Sequence, residues 1–178
     1  MQNSNADRSN VFAVAPVSKG FGFVFMRDRH TLLDWGARSI KNGDDKNKES
    51  LIKIEKLLEH RQPEWLVLPD AFEKGCRRQD RIRRLVTRLS LLAKRHGIAV
   101  DMVSKERVRS YFFGSGRATK FEIAQKVAER FPEQIGDYLP PERQQWMSEN
   151  HFMQLFDAAA MALASFGPTQ FSRGTGSD

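Results

Sequence analysis

Asp157 poses the clearest chemical question in this sequence. It stands within Phe152-Met-Gln-Leu-Phe-Asp157-Ala-Ala-Ala160-Met-Ala-Leu-Ala164, an otherwise almost wholly apolar run that reads as a core helix. An unpaired buried carboxylate is costly, so an Asp in that setting takes a hydrogen-bond donor, a cation or a metal ion as partner. Pairing with a backbone group or an Arg would satisfy the same demand, and this stretch alone does not choose among them.

Two basic segments bear on the choice. Between Gly75 and His96, Arg77, Arg81, Arg84, Arg88 and Arg95 recur at helical spacing and form one stripe. Ile82, Leu85, Leu89 and Leu92 form a neighbouring apolar stripe, so the segment predicts a helix with one face on the core. Asp80 is the single acid within it. A stripe of Arg can track a phosphate backbone and release its counterions, although a solvated helix face has the same appearance. The second segment is Gly114-Ser-Gly116-Arg117-Ala-Thr119-Lys120. Glycines let a backbone approach a ligand closely, the following helix offers free N–H groups, and Arg117 and Lys120 add charge beside an anion. An ordinary helix-to-helix turn is the alternative.

Composition narrows the function classes. The chain has 178 residues, enough for one domain with a real core, with 40% hydrophobic and 29% charged residues. A net charge of +7 and a pI near 9.8 favour a polyanionic partner, most simply nucleic acid. The single cysteine, Cys76, excludes an internal disulfide and fits a reducing compartment. His and Cys lack zinc-ligand spacing. No apolar run approaches the ~20 residues of a membrane helix, and residues 1–10 lack the apolar core of a secretion signal. The expectation is a cytoplasmic protein with a disordered arm (1–10), one domain (11–167) and a disordered Gly/Ser/Thr-rich tail (168–178).

The elements that must position these residues follow from periodicity. Runs at 11–15, 21–26 and 30–35 read as three strands joined by turns too short for anything but an antiparallel meander. A helix opens at Gly43 and Asp44 and runs to about His60. Residues 65–68 give a fourth strand ending at Pro69-Asp70, the basic helix follows, and 98–103 give a fifth strand after a Gly97 cap. Strands four and five imply βαβ crossovers and parallel pairing. Ser104 is the candidate N-cap of a helix to Phe113, and Thr119 with Glu122 forms a capping box for a helix from Lys120 to about Phe131. Residues 132–141 read as a loop, and the last helix as starting near Glu142. The result is a mixed five-stranded α/β sheet, β-β-β-α-β-α-β followed by helices, which is the order of the ribonuclease H-like fold.

From Val11 to Ser165 the chain resembles the RuvC-type Holliday junction resolvases of the ribonuclease H-like superfamily. The resemblance rests on element order and on three motif regions. They are Ala13-Val-Ala15-Pro-Val-Ser-Lys-Gly20-Phe-Gly22; Val67-Leu-Pro69-Asp70-Ala-Phe72; and Gly114 to Lys120 with Asp157-Ala-Ala-Ala160. It implies a homodimer acting on branched DNA, with four carboxylates holding two Mg²⁺ (or Mn²⁺) ions that activate water and stabilise the leaving oxygen. Carried over by residue, the strand-one acid falls on Ala15 and the strand-four acid on Pro69, with Asp70 one place later. The last helix keeps Asp157, but its second acid position is Ala160. Asp70 and Asp157 are then the remnant catalytic and metal set, which Glu73, Asn150 or substrate phosphates could supplement. The resemblance also makes Phe72 an aromatic packed against bases at an opened junction and Lys120 a phosphate-side lysine. Tyr111, Phe112 and Phe113 offer either a stacking surface or helix packing.

Three readings follow. The first is a protein that binds branched or structured DNA through Arg77, Arg81, Arg84, Arg88, Arg117, Lys120 and Phe72, with metal-dependent cleavage lost or reduced. The second is an active Mg²⁺-dependent Holliday junction endonuclease of recombination and repair. The third is a non-enzymatic assembly component docking its basic face on an acidic protein.

Overall fold

The computed structural model of the chain describes residues 8–41, 45–74, 80–114 and 116–167. Residues 1–7, the tail from 168, Cys76, Arg77 and the expected helix opening at Gly43 and Asp44 lie outside them.

Strands β1 (Val11–Val17), β2 (Gly20–Asp28) and β3 (Thr31–Ser39) form the expected antiparallel meander. Helix α1 (Lys46–Arg61), β4 (Trp65–Pro69), α2 (Asp80–Arg95) and β5 (Ala99–Val103) follow. Both β4 and β5 pair parallel, so the sheet order is β3-β2-β1-β4-β5. Then come α3 (Lys105–Phe113), α4 (Lys120–Arg130), a short α5 (Pro132–Ile135), a 3-10 turn at Gly136–Tyr138 and α6 (Met153–Ser165).

Strand alternation divides the core by side-chain size. Phe12, Val14, Phe21, Phe23 and Phe25 face α1 and α2, and the Phe12 and Phe23 rings stack at 5.7 Å. Each fully buried Phe there contributes roughly 1.5–3 kcal/mol of apolar transfer. On the other face, Ala13, Ala15 and Val24 meet the Ala-rich helix α6. Small residues on both sides let that helix lie almost on the strands. At Gly22, which pairs with Ala15, a Cβ would stand 2.1 Å from the Gln154 carbonyl oxygen.

Local signals explain the helix ends. The Ser104 hydroxyl accepts the Arg107 N–H, Thr119 and Glu122 exchange both bonds of the capping box, and Gly97 (φ +68°) closes α2 in the left-handed region. Residues 132–141, expected as a loop, instead carry α5, with Pro132 at its start, and the 3-10 turn; β3 runs on to Ser39, and two further boundaries bear on the site. First, β1 continues through Pro16, which needs no N–H partner because β1 pairs with β4 only as far as Ala13 and Val67. Second, α6 begins at Met153, because residues 141–150 are all exposed and have no apolar face to bury. Arg8 pairs with Asp101 and lies over the Trp65 ring, while the Ser9 and Asn10 side chains donate to Glu64, so residues 8–10 are packed on the sheet. Among the described residues no helix is long and apolar enough to cross a membrane.

Candidate functional site

Parallel strands β1, β4 and β5 end side by side, and β1 separates from β4 beyond Ala13 and Val67. A cleft of about 520 Å³ opens at those ends, where open α/β sheets characteristically take ligands. Ala15, Pro16 and Val17 line it from β1, Pro69 from β4 and Val103 from β5. Helix α3 adds Lys105 and Arg109, α4 adds Lys120, and α6 adds Asp157 and Ala160. Ala15, Pro69, Asp157 and Ala160, the positions expected to carry a metal-binding acid set, thus share one cleft.

The partner that Asp157 requires is a cation. Lys120 Nζ lies 2.9 Å from Asp157 Oδ2 and also donates to Glu149 Oε1 at 2.5 Å. Thr119 caps α4 so that Lys120 is its first residue, an electrostatically poor place for a cation because the helix dipole is positive there. Burial also pulls the ammonium pKa down, but Asp157 and Glu149 outweigh it, and the net shift is upward.

The remaining expected ligands each accept a backbone N–H. Asp70 is not among the residues lining the cleft; its Oδ1 accepts the Phe72 N–H and closes the turn after β4. Glu73 lines the cleft and faces the Lys105 backbone N–H at the start of α3. Asn150 precedes α6 instead of sharing its face with Asp157, and its Oδ1 accepts the Phe152 N–H. Among the described residues, the three-ligand grouping close enough for one ion is Glu55, Glu59 and His96, none of which lines the cleft. Alanine and proline side chains supply no oxygen, and Asp157 is paired with an ammonium. The cleft as built does not fit two Mg²⁺ ions, each needing several hard oxygens.

The predicted basic residues divide. Arg81 turns inward: its guanidinium donates to the Val17 and Ser18 carbonyls and to Asn47 Oδ1, tying α2 to the β1–β2 turn and to α1. These bonds occupy the guanidinium that the sequence offers to phosphate, and burial lowers its pKa. Arg84, Arg88 and Arg117 are exposed, whereas Arg77 lies outside the described residues. Phe72 is 62% exposed beside Glu73. Tyr111 is buried in the core shared with α4 and α6, with Phe112 packed against it, so these two rings serve helix packing, and burial raises the Tyr111 pKa.

Lys105, Arg109 and Glu149 are cleft residues that the sequence reading missed. Lys105 and Arg109 are four apart on α3, beside the core-facing Val108, and that spacing was their available signal.

No protein-family model and no curated protein matches the chain. Solved structures do. Thermus thermophilus RuvC in complex with Holliday junction substrate aligns at a TM-score of 0.66 and 17% identity, covering 88% of this chain and 92% of that one. A second Thermus thermophilus RuvC structure aligns at 0.62 and 18%, covering 88% and 93%. The yeast mitochondrial Holliday junction resolvase aligns at 0.59 and 12%, covering 89% and 78%. Over nearly its whole described length, the chain is similar to these resolvases and has their ribonuclease H-like fold.

Proposed function

We propose that this chain binds branched DNA at the cleft and does not cleave it by the two-metal chemistry of the resolvases it resembles. The observation that carries this reading is the Lys120–Asp157 pair in a cleft whose other acid positions are Ala15, Pro69 and Ala160. An uncompensated set of four carboxylates repels phosphate until metal ions neutralise it. Here the charged residues lining the cleft are Lys105, Arg109 and Lys120 against Glu73, Glu149 and Asp157, formally balanced. A phosphate backbone meets no net repulsion there, with or without divalent ions. Exposed Arg84, Arg88 and Arg117 supply the sequence-independent, salt-sensitive part of the affinity. A homodimer would present two such clefts about a two-fold axis, the symmetry of a four-way junction.

The test is a gel-shift titration of four-way junction, linear duplex and single strand across salt, with EDTA, Mg²⁺ or Mn²⁺. The expected result is junction preference, equal affinity in EDTA and Mg²⁺, and intact DNA. Metal-dependent junction cutting that disappears in Asp157→Asn would instead establish an active endonuclease. Absence of salt-sensitive DNA binding would favour an assembly component docking on an acidic protein.

A further inference from the structure

Trp146 is 83% exposed, the most exposed large hydrophobic side chain of the described residues. It lies in the connection 139–152 between the 3-10 turn and α6. That connection has a defined shape. The Tyr138 and Phe152 rings pack at 5.1 Å and clasp its two ends. The Met147 N–H donates to the Gln144 carbonyl, and Arg143 Nε donates to the Met147 carbonyl, forming the turn that carries Trp146. Glu149, three residues further on, reaches Lys120 and lines the cleft. Three residues span at most about 11 Å, so the Trp146 backbone stands within that distance of the Glu149 backbone.

We infer that Trp146 is a stacking platform for an unpaired nucleobase of branched DNA bound at the cleft. The inference rests on the nucleic-acid reading above. Exposing an indole to water forgoes its large apolar burial, so a partner surface is needed to recover it. Most of the turn is polar (Glu142, Arg143, Gln144, Gln145 and Ser148), with Met147 beside the indole and Tyr138 and Phe152 partly exposed at the ends of the connection. A protein interface buries several apolar side chains together around its anchors. An indole raised on a largely polar turn beside a cleft that holds Lys105, Arg109 and Lys120 matches a base, which has an apolar face, hydrogen-bonding edges and a phosphate backbone attached. Phe72, exposed and adjacent in sequence to Glu73, which lines the cleft, is a second exposed aromatic of the chain.

The experiment compares the full chain with Trp146→Ala and Trp146→Phe. Affinity is measured for a four-way junction and a fully paired duplex, and tryptophan fluorescence is followed during the junction titration. Because the side chain is almost fully exposed, circular dichroism should show both variants folded. The expected result is an about 5- to 150-fold loss of junction affinity in Trp146→Ala, substantial retention in Trp146→Phe and unchanged duplex affinity. Junction binding should also quench an emission component that both variants lack. Unchanged junction affinity in Trp146→Ala, with wild type binding junctions well, overturns this inference and leaves the nucleic-acid reading intact. Loss of self-association in that variant at unchanged junction affinity also overturns it, assigning the indole to a protein contact. Failure of the wild type to bind any DNA overturns both readings.

Discussion

The Lys120 ammonium lies 2.9 Å from the Asp157 carboxylate, joining the first residue of α4 to the middle of α6 across the mouth of the cleft. Glu149 completes the group from the preceding loop. The Asp157 carboxylate is therefore faced by a cation of the chain itself.

Lys120→Met should lower thermal stability at neutral pH, leaving Asp157 and Glu149 without this cation. The folded pKa of Lys120 is raised. Its contribution is therefore complete below the ordinary lysine value of about 10.4 and is lost as pH rises through the raised one. Thermal melts of wild type and variant should converge above that range; a constant difference at all pH values would count against the pairing.

Arg81→Ala should destabilise the fold by roughly 1.5–3 kcal/mol, the range for a hydrogen-bonded charged group, because the Val17 and Ser18 carbonyls lose their donor. Arg84→Ala and Arg88→Ala should leave urea midpoints nearly unchanged, both side chains being exposed. Their effect belongs in DNA binding, where each phosphate contact removed should flatten the log–log salt slope by about 1.

Gly22→Ala should be among the most damaging small substitutions. Its Cβ would meet the Gln154 carbonyl at 2.1 Å and the Leu155 nitrogen at 2.6 Å, both of them backbone atoms that no rotamer change can move. Overpacking of this kind costs about 1–3 kcal/mol or more. Denaturant unfolding reads the loss, and a weakened Lys120–Asp157 pair should accompany it as α6 is pushed off the sheet.

Ala15→Asp combined with Ala160→Asp should raise Mn²⁺ binding above that of the wild type, detectable by calorimetry. Both positions line the cleft with Asp157, and the new acids supply oxygen ligands to a hard cation. If the folded double variant takes up no more Mn²⁺ than wild type, these two positions are not those of a metal-binding set.

Much of this was legible in the sequence because the signals were local. Ser104, Thr119 with Glu122, and Gly97 announced three helix ends by chemistry confined to a few neighbouring residues. Strand periodicity and connection length fixed the meander and the parallel crossovers. The demand of Asp157 for a partner was visible too, but its answer was not. Lys120 belongs to another helix, and only the tertiary arrangement decides whether a lysine faces a carboxylate or a phosphate. Arg81 shows the same limit, since helical spacing gave it the same stripe as Arg84 and Arg88 while tertiary hydrogen bonds turned it inward. Residues 142–145 are good helix formers by propensity, yet they remain outside α6 because nothing packs against them.

The seating of α6 on Gly22 and the alanines of β1 has a wider consequence. That helix is positioned by close apolar fit, with neither Ala15 nor Ala160 contributing a polar tie. The seat of α6 is therefore set by side-chain size: the methyl groups of Ala15 and Ala160 are part of the close fit as well as of the cleft lining. A residue larger than alanine at either position would act on the shape of the cleft before it acted on its chemistry.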